Sequence, residues 1–125
     1  MSKSKRILIA DDDEALLFAF QRLFNDADIA IDAAESVDHA RQLIDNHPYA
    51  LVISDLRFGD DGDETGAEII RHARKKSPQT KTILWTAYGN DTVEKSLKEV
   101  RPDQVLTKPV PSETIRDILK EMDLL

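Results

Sequence analysis

Cysteine is absent from this chain of 125 residues. That excludes disulfides and thiolate metal sites and leaves the cytoplasm as the expected compartment. Long apolar runs are missing as well: no stretch approaches the ~20 apolar residues of a membrane span, so no membrane association is expected. The basic start Met1-Ser2-Lys3-Ser4-Lys5-Arg6 leads into a short apolar run that meets Asp11-Asp12-Asp13 almost at once. It does not read as a signal peptide. Positive charge is in the minority, with 17 basic against 24 acidic residues and a net charge of -7. Beyond the N-terminal tip and Arg71–Lys76 there is no basic cluster, so direct nucleic-acid binding by this chain is not expected. Partners with basic or apolar faces suit it better. Linkers, repeats and low-complexity tracts are also lacking. Residues 1–125 are therefore read as a single domain with a core from about 5 to 122.

What is present is an alternation of two periods. Short β-like runs occur at Arg6–Ala10, Ile29–Ala33, Ala50–Ser54, Thr82–Trp85 and Gln104–Thr107. Leu51-Val52-Ile53 shows no in-out alternation, as expected of a strand covered on both faces. Between the runs lie stretches with helical spacing. The first, about Glu14–Asn25, carries Leu16, Phe20, Leu23 and Phe24 on one stripe and leaves Leu17 and Phe18 outside it. These two residues are candidates for docking a partner helix or a second copy of the chain. Val37–Asn46 opens at the cap candidate Ser36 and stops before Pro48. Thr65–Lys76 spaces Ala67, Ile70 and Ala73; Thr92–Glu99 is short and weakly apolar; Ser112–Met122 lines up Ile115, Ile118, Leu119 and Met122. Strict βα alternation predicts an α/β fold: a flavodoxin-like (βα)5, doubly wound, three-layer αβα arrangement. Its five-stranded parallel sheet has the order 2-1-3-4-5, with right-handed crossovers and ligands at the carboxyl ends of the strands.

Four polar words follow the strand runs: Ala10-Asp11-Asp12, Asp55, Thr86-Ala87 and Lys108-Pro109. On one parallel sheet they share an edge, which brings together three carboxylates, a hydroxyl and an ammonium. Each has a plainer reading alone. Asp12 or Asp13 can cap the first helix, Asp55 can end a strand in a turn, Thr86 suits any strand, and Lys108 can be a solvated terminus. Adjacent carboxylates repel, however, and a hard cation offsets that cost. Mg²⁺ (or Mn²⁺ in its place) takes one or two carboxylates together with phosphate and water. A carboxylate beside such a metal can act as the nucleophile that forms an aspartyl-phosphate. Lys108-Pro109 is an X-Pro pair, the kind of bond at which cis geometry occurs at appreciable frequency.

In order and spacing, the words and their strands resemble the receiver domain of two-component response regulators. The matching stretches are Ile7–Asp13, Leu51–Asp55, Ile83–Gly89 and Val105–Pro109, and the resemblance covers nearly the whole chain. It implies a cytoplasmic phosphorelay component that is not an enzyme beyond its own phosphorylation and dephosphorylation. Asp55 is the implied acceptor, supplied by a phosphohistidine on a histidine kinase or histidine phosphotransfer protein. Asp12 and Asp55 ligate Mg²⁺ directly with the Arg57 backbone carbonyl, and Asp11 acts largely through water. Thr86, the Ala87 N–H and Lys108 contact the phosphoryl oxygens, and homodimerisation on activation is a further implied outcome.

The chain departs from that pattern in three places. Phe58-Gly59 replaces the usual Met-Pro after the acceptor, and an acidic insert, Asp60–Glu64, precedes Thr65-Gly66. Val105 stands where the family carries an aromatic switch residue. Arg57 and Tyr88 are large side chains at the positions that flank the pocket and govern access of water. Two other readings stand beside the receiver. One is a haloacid-dehalogenase-like metal-dependent phosphatase with Asp11 as nucleophile. The other is a receiver fold that serves, unphosphorylated, as an interaction module.

Overall fold

A computed structural model describes residues 5–24, 28–56, 65–86 and 98–124. Its strands are β1 (Lys5–Ala10), β2 (Ile29–Ala34), β3 (Leu51–Asp55), β4 (Lys81–Thr86) and β5 (Gln104–Thr107). Its helices are α1 (Glu14–Leu23), α2 (Val37–Asn46), α3 (Thr65–Lys76) and α4 (Ser112–Glu121). All strand pairs are parallel, in the order β2-β1-β3-β4-β5. The expected sheet order holds, and strand limits differ from the sequence reading by no more than one residue at each end. Of the helix expected at Thr92–Glu99, Lys98 and Glu99 are described, both helical; the rest lies outside the described residues.

The central strands are apolar on both faces because each face is covered. Ile7, Ile9, Ile53, Ile83 and Trp85 pack with Leu17 and Phe20 of α1, with Phe24 just after it, and with Ile115, Ile118 and Leu119 of α4. On the opposite face, Leu8, Ala10 and Val52 meet Val37, Ala40 and Ile44 of α2 and Ile69 and Ala73 of α3. Leu56, Ala67, Ile70, Leu84 and Val100 form a third group. One reading of α1 needs correction. Leu17 is buried in the core, while Leu16 and Leu23 are only partly so. The helix turns the i, i+3, i+7 row Leu17–Phe20–Phe24 to the sheet. Phe18 does lie outside, 61% exposed beside the Arg22 guanidinium. Helix ends follow local chemistry: Ser36 accepts from the His39 N–H at the start of α2, and Asp13 accepts from Ala15 and Leu16 at the start of α1. Such caps are worth about 1 kcal/mol each.

Candidate functional site

Parallel pairing places the ends of β1, β3 and β4 and the residue after β5 on one rim. The Asp11 N–H donates to the Ala34 carbonyl (3.0 Å), which carries the β1–β2 ladder one step past β1 and fixes the Asp11 backbone. The Asp11 side chain is buried. Its Oδ1 accepts from the Asp13 N–H (3.0 Å) and its Oδ2 from Lys108 Nζ (2.7 Å). Asp12, next along, is exposed. Asp13 is the cap of α1, so the three consecutive aspartates divide into a buried ion-pair member, an exposed carboxylate and a helix cap.

Asp55 ends β3, and the following Leu56 N–H is held by the Trp85 carbonyl at 3.0 Å. The start of α3 presses directly on this strand end. The Gly66 N–H donates to the Leu56 carbonyl at 2.9 Å, and a Cβ on Gly66 would lie 2.0 Å from the Asp55 carbonyl oxygen. A side chain larger than hydrogen does not fit there.

Lys108 is aimed by its backbone. Its N–H donates to the Thr86 carbonyl (2.8 Å), and the bond to Pro109 is cis. Its ammonium lies 2.7 Å from Asp11 Oδ2 and 3.1 Å from Asp55 Oδ2. Burial lowers the Lys108 pKa, but its hydrogen bond and charge interaction with Asp11, followed by those with Asp55, outweigh this and raise it. Lys108 therefore stays charged throughout the physiological range. Oxygens of Asp11, Asp12 and Asp55 all lie within 4.8 Å of one another. Like charges at such separations repel by up to about 4 kcal/mol at a surface-like dielectric. Among the described residues, one ammonium, that of Lys108, lies against Asp11 and Asp55. The donor set, three hard oxygens converging on one point, fits a hard divalent cation.

Asp11, Asp12, Asp55 and Lys108 are thus brought together, and Thr86 ends the adjacent β4, buried. Val105 of β5 pairs in register with Leu84 of β4 and is 38% exposed. Arg57, Ala87, Tyr88 and the insert Asp60–Glu64 lie outside the described residues. Two residues at the site are not among the sequence candidates: Gly66, which enters only beside Thr65 after the acidic insert, and Trp85, the last residue of a strand run, whose ring lies beneath Lys108. Neither has a local signature, because both roles arise from elements far apart in sequence.

Residues 7–120 match the family model of the response regulator receiver domain. The chain belongs to that family. It is 30% identical over 120 residues to the response regulator protein PilR of Pseudomonas aeruginosa, in an alignment covering 95% of this chain and 26% of PilR. It is 24% identical over 119 residues to the photosynthetic apparatus regulatory protein RegA of Rhodobacter capsulatus, covering 95% of this chain and 63% of RegA. The chain therefore spans about a quarter of one relative and under two thirds of the other. Among solved structures, a CheY-like receiver domain protein from Methanospirillum hungatei superposes with a TM-score of 0.82 at 26% identity, covering 95% of this chain and 94% of that one. The BeF3-activated DrrB receiver domain superposes at 0.79 with 23% identity, covering 94% and 96%; at that identity the likeness speaks for the fold.

The receiver assignment carries a phosphorylation-dependent signalling role in two-component systems. It does not favour the haloacid-dehalogenase-like alternative. In that reading Asp11 is the nucleophile, yet here it is buried and engaged by Lys108 and its own backbone turn. Among the described residues, no helix is long and apolar enough to cross a membrane.

Proposed function

We propose that Asp55 is the phosphoacceptor of this receiver and that Asp11, Asp12 and Asp55 hold the Mg²⁺ it requires, with the Arg57 carbonyl as a further ligand. The observation that carries the proposal is the convergence of three carboxylates and the Lys108 ammonium at one sheet edge. A carboxylate oxygen of Asp55 attacks the phosphorus of a donor phosphohistidine. The new O–P bond forms as the N–P bond breaks, and the imidazole leaves with the bonding pair. Phosphoryl transfer is catalysed mainly by positioning and by neutralising the equatorial oxygens, and the bound cation supplies part of that neutralisation. Lys108, already 3.1 Å from Asp55, supplies another part as an ion pair. The Thr86 hydroxyl and the Ala87 N–H donate to the remaining oxygens.

The donor is a histidine kinase or a histidine phosphotransfer protein in the cytoplasm, and phosphorylation changes the surface offered to a partner or to a second copy. Val105 has no ring to rotate, so read-out passes through another element, for which Tyr88 is the candidate. Arg57 and Tyr88 shield the aspartyl-phosphate from water. The half-life of the phosphorylated protein should shorten in Arg57→Ala/Tyr88→Ala; an unchanged half-life removes them from that role. The acceptor assignment is tested by incubating the wild type and Asp55→Asn with a phosphodonor and Mg²⁺. Asp55→Asn keeps the shape, removes the nucleophile and should show no acid-stable label, whereas stoichiometric label on the variant overturns the assignment.

A further inference from the structure

Trp85 is among the largest fully buried side chains, 1% exposed, and its indole Nε1–H has no acceptor among the described residues. A buried N–H without a partner is destabilising. Phe or Leu would fill this position of β4, between Phe20 of α1 and the β5 side of the sheet, without that penalty. Phe20 already packs edge-on to the indole, with centroids 6.1 Å apart. What the indole offers that a plain hydrophobe lacks is the strongest π face of any side chain, and over that face lies a cation: Lys108 Nζ is 5.6 Å from the ring centroid.

We infer that Trp85 is a positioning residue for Lys108, a platform that holds its ammonium at the phosphoacceptor pocket. The inference rests on the reading of Asp55 as acceptor and deepens it. In the described state the ammonium is drawn inward by Asp11 and Asp55. Those same carboxylates are the ones a divalent cation would engage, and once they do, two positive charges share them. The side chain of Lys108 is 22% exposed, so a route to solvent is open to it. An attraction independent of the carboxylates keeps the ammonium in place for the incoming phosphoryl oxygens. A ring face supplies that attraction and, being largely shielded from water, supplies it more strongly than an exposed one. The backbone adds to the arrangement. Trp85 is in register with Asp55, its carbonyl holds the Leu56 N–H, and the adjacent Thr86 carbonyl holds the Lys108 N–H. One dipeptide of β4 therefore ties the acceptor strand, the ring and the lysine together.

The test compares Trp85→Phe with Trp85→Met, which are both smaller than Trp but differ in having a ring face; the Lys108→Ala cycle separates that difference from the cost of the larger void left by Met. Affinity for beryllofluoride with Mg²⁺, a phosphoryl analogue, is measured by calorimetry on both. Denaturant unfolding is then measured on both variants with Lys108 intact and with Lys108→Ala. Trp85→Phe should bind the analogue within about 2-fold of wild type, and Trp85→Met about 5- to 10-fold more weakly. Without ligand, the ratio of unfolding constants between the two variants should shrink about 3-fold when Lys108 is replaced by Ala. Equal analogue affinity of the Phe and Met variants, or an additive unfolding cycle, overturns the inference. A wild type that fails to take up the analogue counts instead against Asp55 as acceptor, and the unfolding cycle then decides the role of Trp85 by itself.

Discussion

The two ends of the sheet solve the same electrostatic problem in opposite ways. Towards the amino ends of the strands, Arg6 Nε near the start of β1 (2.6 Å) and the Tyr49 hydroxyl before β3 (2.7 Å) both donate to Asp32, in the middle of β2. Thr80 Oγ1 donates to the Tyr49 carbonyl at 2.8 Å. One carboxylate meets one guanidinium and one hydroxyl, and the charges cancel. At the carboxyl ends, Asp11 and Asp55 share Lys108, and an oxygen of Asp12 lies within 4.8 Å of theirs. The first network is balanced and links β1 and β2 to the segment before β3. Among the described residues, the second sets three carboxylates about one ammonium, a donor set that suits a divalent cation.

The largest effect expected from perturbing this contrast is at Lys108. Lys108→Ala leaves the Asp11 side chain, 1% exposed, without its counter-charge, and the unfolding free energy should fall by about 3 kcal/mol without metal. Mg²⁺ should restore part of that loss, since it supplies the missing positive charge; a deficit unchanged by Mg²⁺ would contradict the shared-site account. At the other end, Asp32→Asn deprives Arg6 and Tyr49 of a charged acceptor and should cost about 2 kcal/mol in chemical denaturation, with no response to Mg²⁺.

Tyr49→Phe removes one hydrogen bond to a charged group, for a loss of about 1.5 kcal/mol at neutral pH. Here the sign with pH is also fixed. Burial first, and then the hydrogen bond to Asp32, raise the Tyr49 pKa well above its ordinary value of 10.0. The unfolded chain ionises before the folded one, so the contribution is fully present below about pH 10 and is lost as pH climbs towards the folded value. The gap between wild type and Tyr49→Phe should therefore narrow in alkaline denaturation series. A gap that widens above that pH would show the raised pKa to be absent.

Much of this was legible in the sequence, and the limits of legibility have a physical reason. Alternating periods announced the βα order, the unbroken Leu51-Val52-Ile53 run announced a strand covered on both faces, and Ser36 announced a helix start. These signals are local. The polar words were legible because a parallel sheet sends every strand's carboxyl end to one edge, so topology alone gathers Asp11, Asp12, Asp55 and Lys108. The division of labour within Asp11-Asp12-Asp13 was not legible, since identical residues take buried, exposed and capping positions according to where β1 stops. Leu17 was misjudged because a two-position choice of stripe depends on how α1 lies on the sheet. The Arg6–Asp32–Tyr49 network, the close approach at Gly66 and the ring beneath Lys108 depend on residues brought together by tertiary packing, and spacing in the chain does not encode them.

The smallest expected effect is also the most direct test, because only the carboxyl edge should respond to a divalent cation. Asp12→Asn removes one of the three converging carboxylates. Unfolding free energies of wild type and Asp12→Asn are measured by chemical denaturation, first without divalent cations and then with saturating Mg²⁺. Mg²⁺ should stabilise the wild type by more than it stabilises the variant, because only the complete carboxylate set gains the full binding free energy. A wild type stabilised by Mg²⁺ no more than Asp12→Asn would contradict the claim that these carboxylates hold a cation.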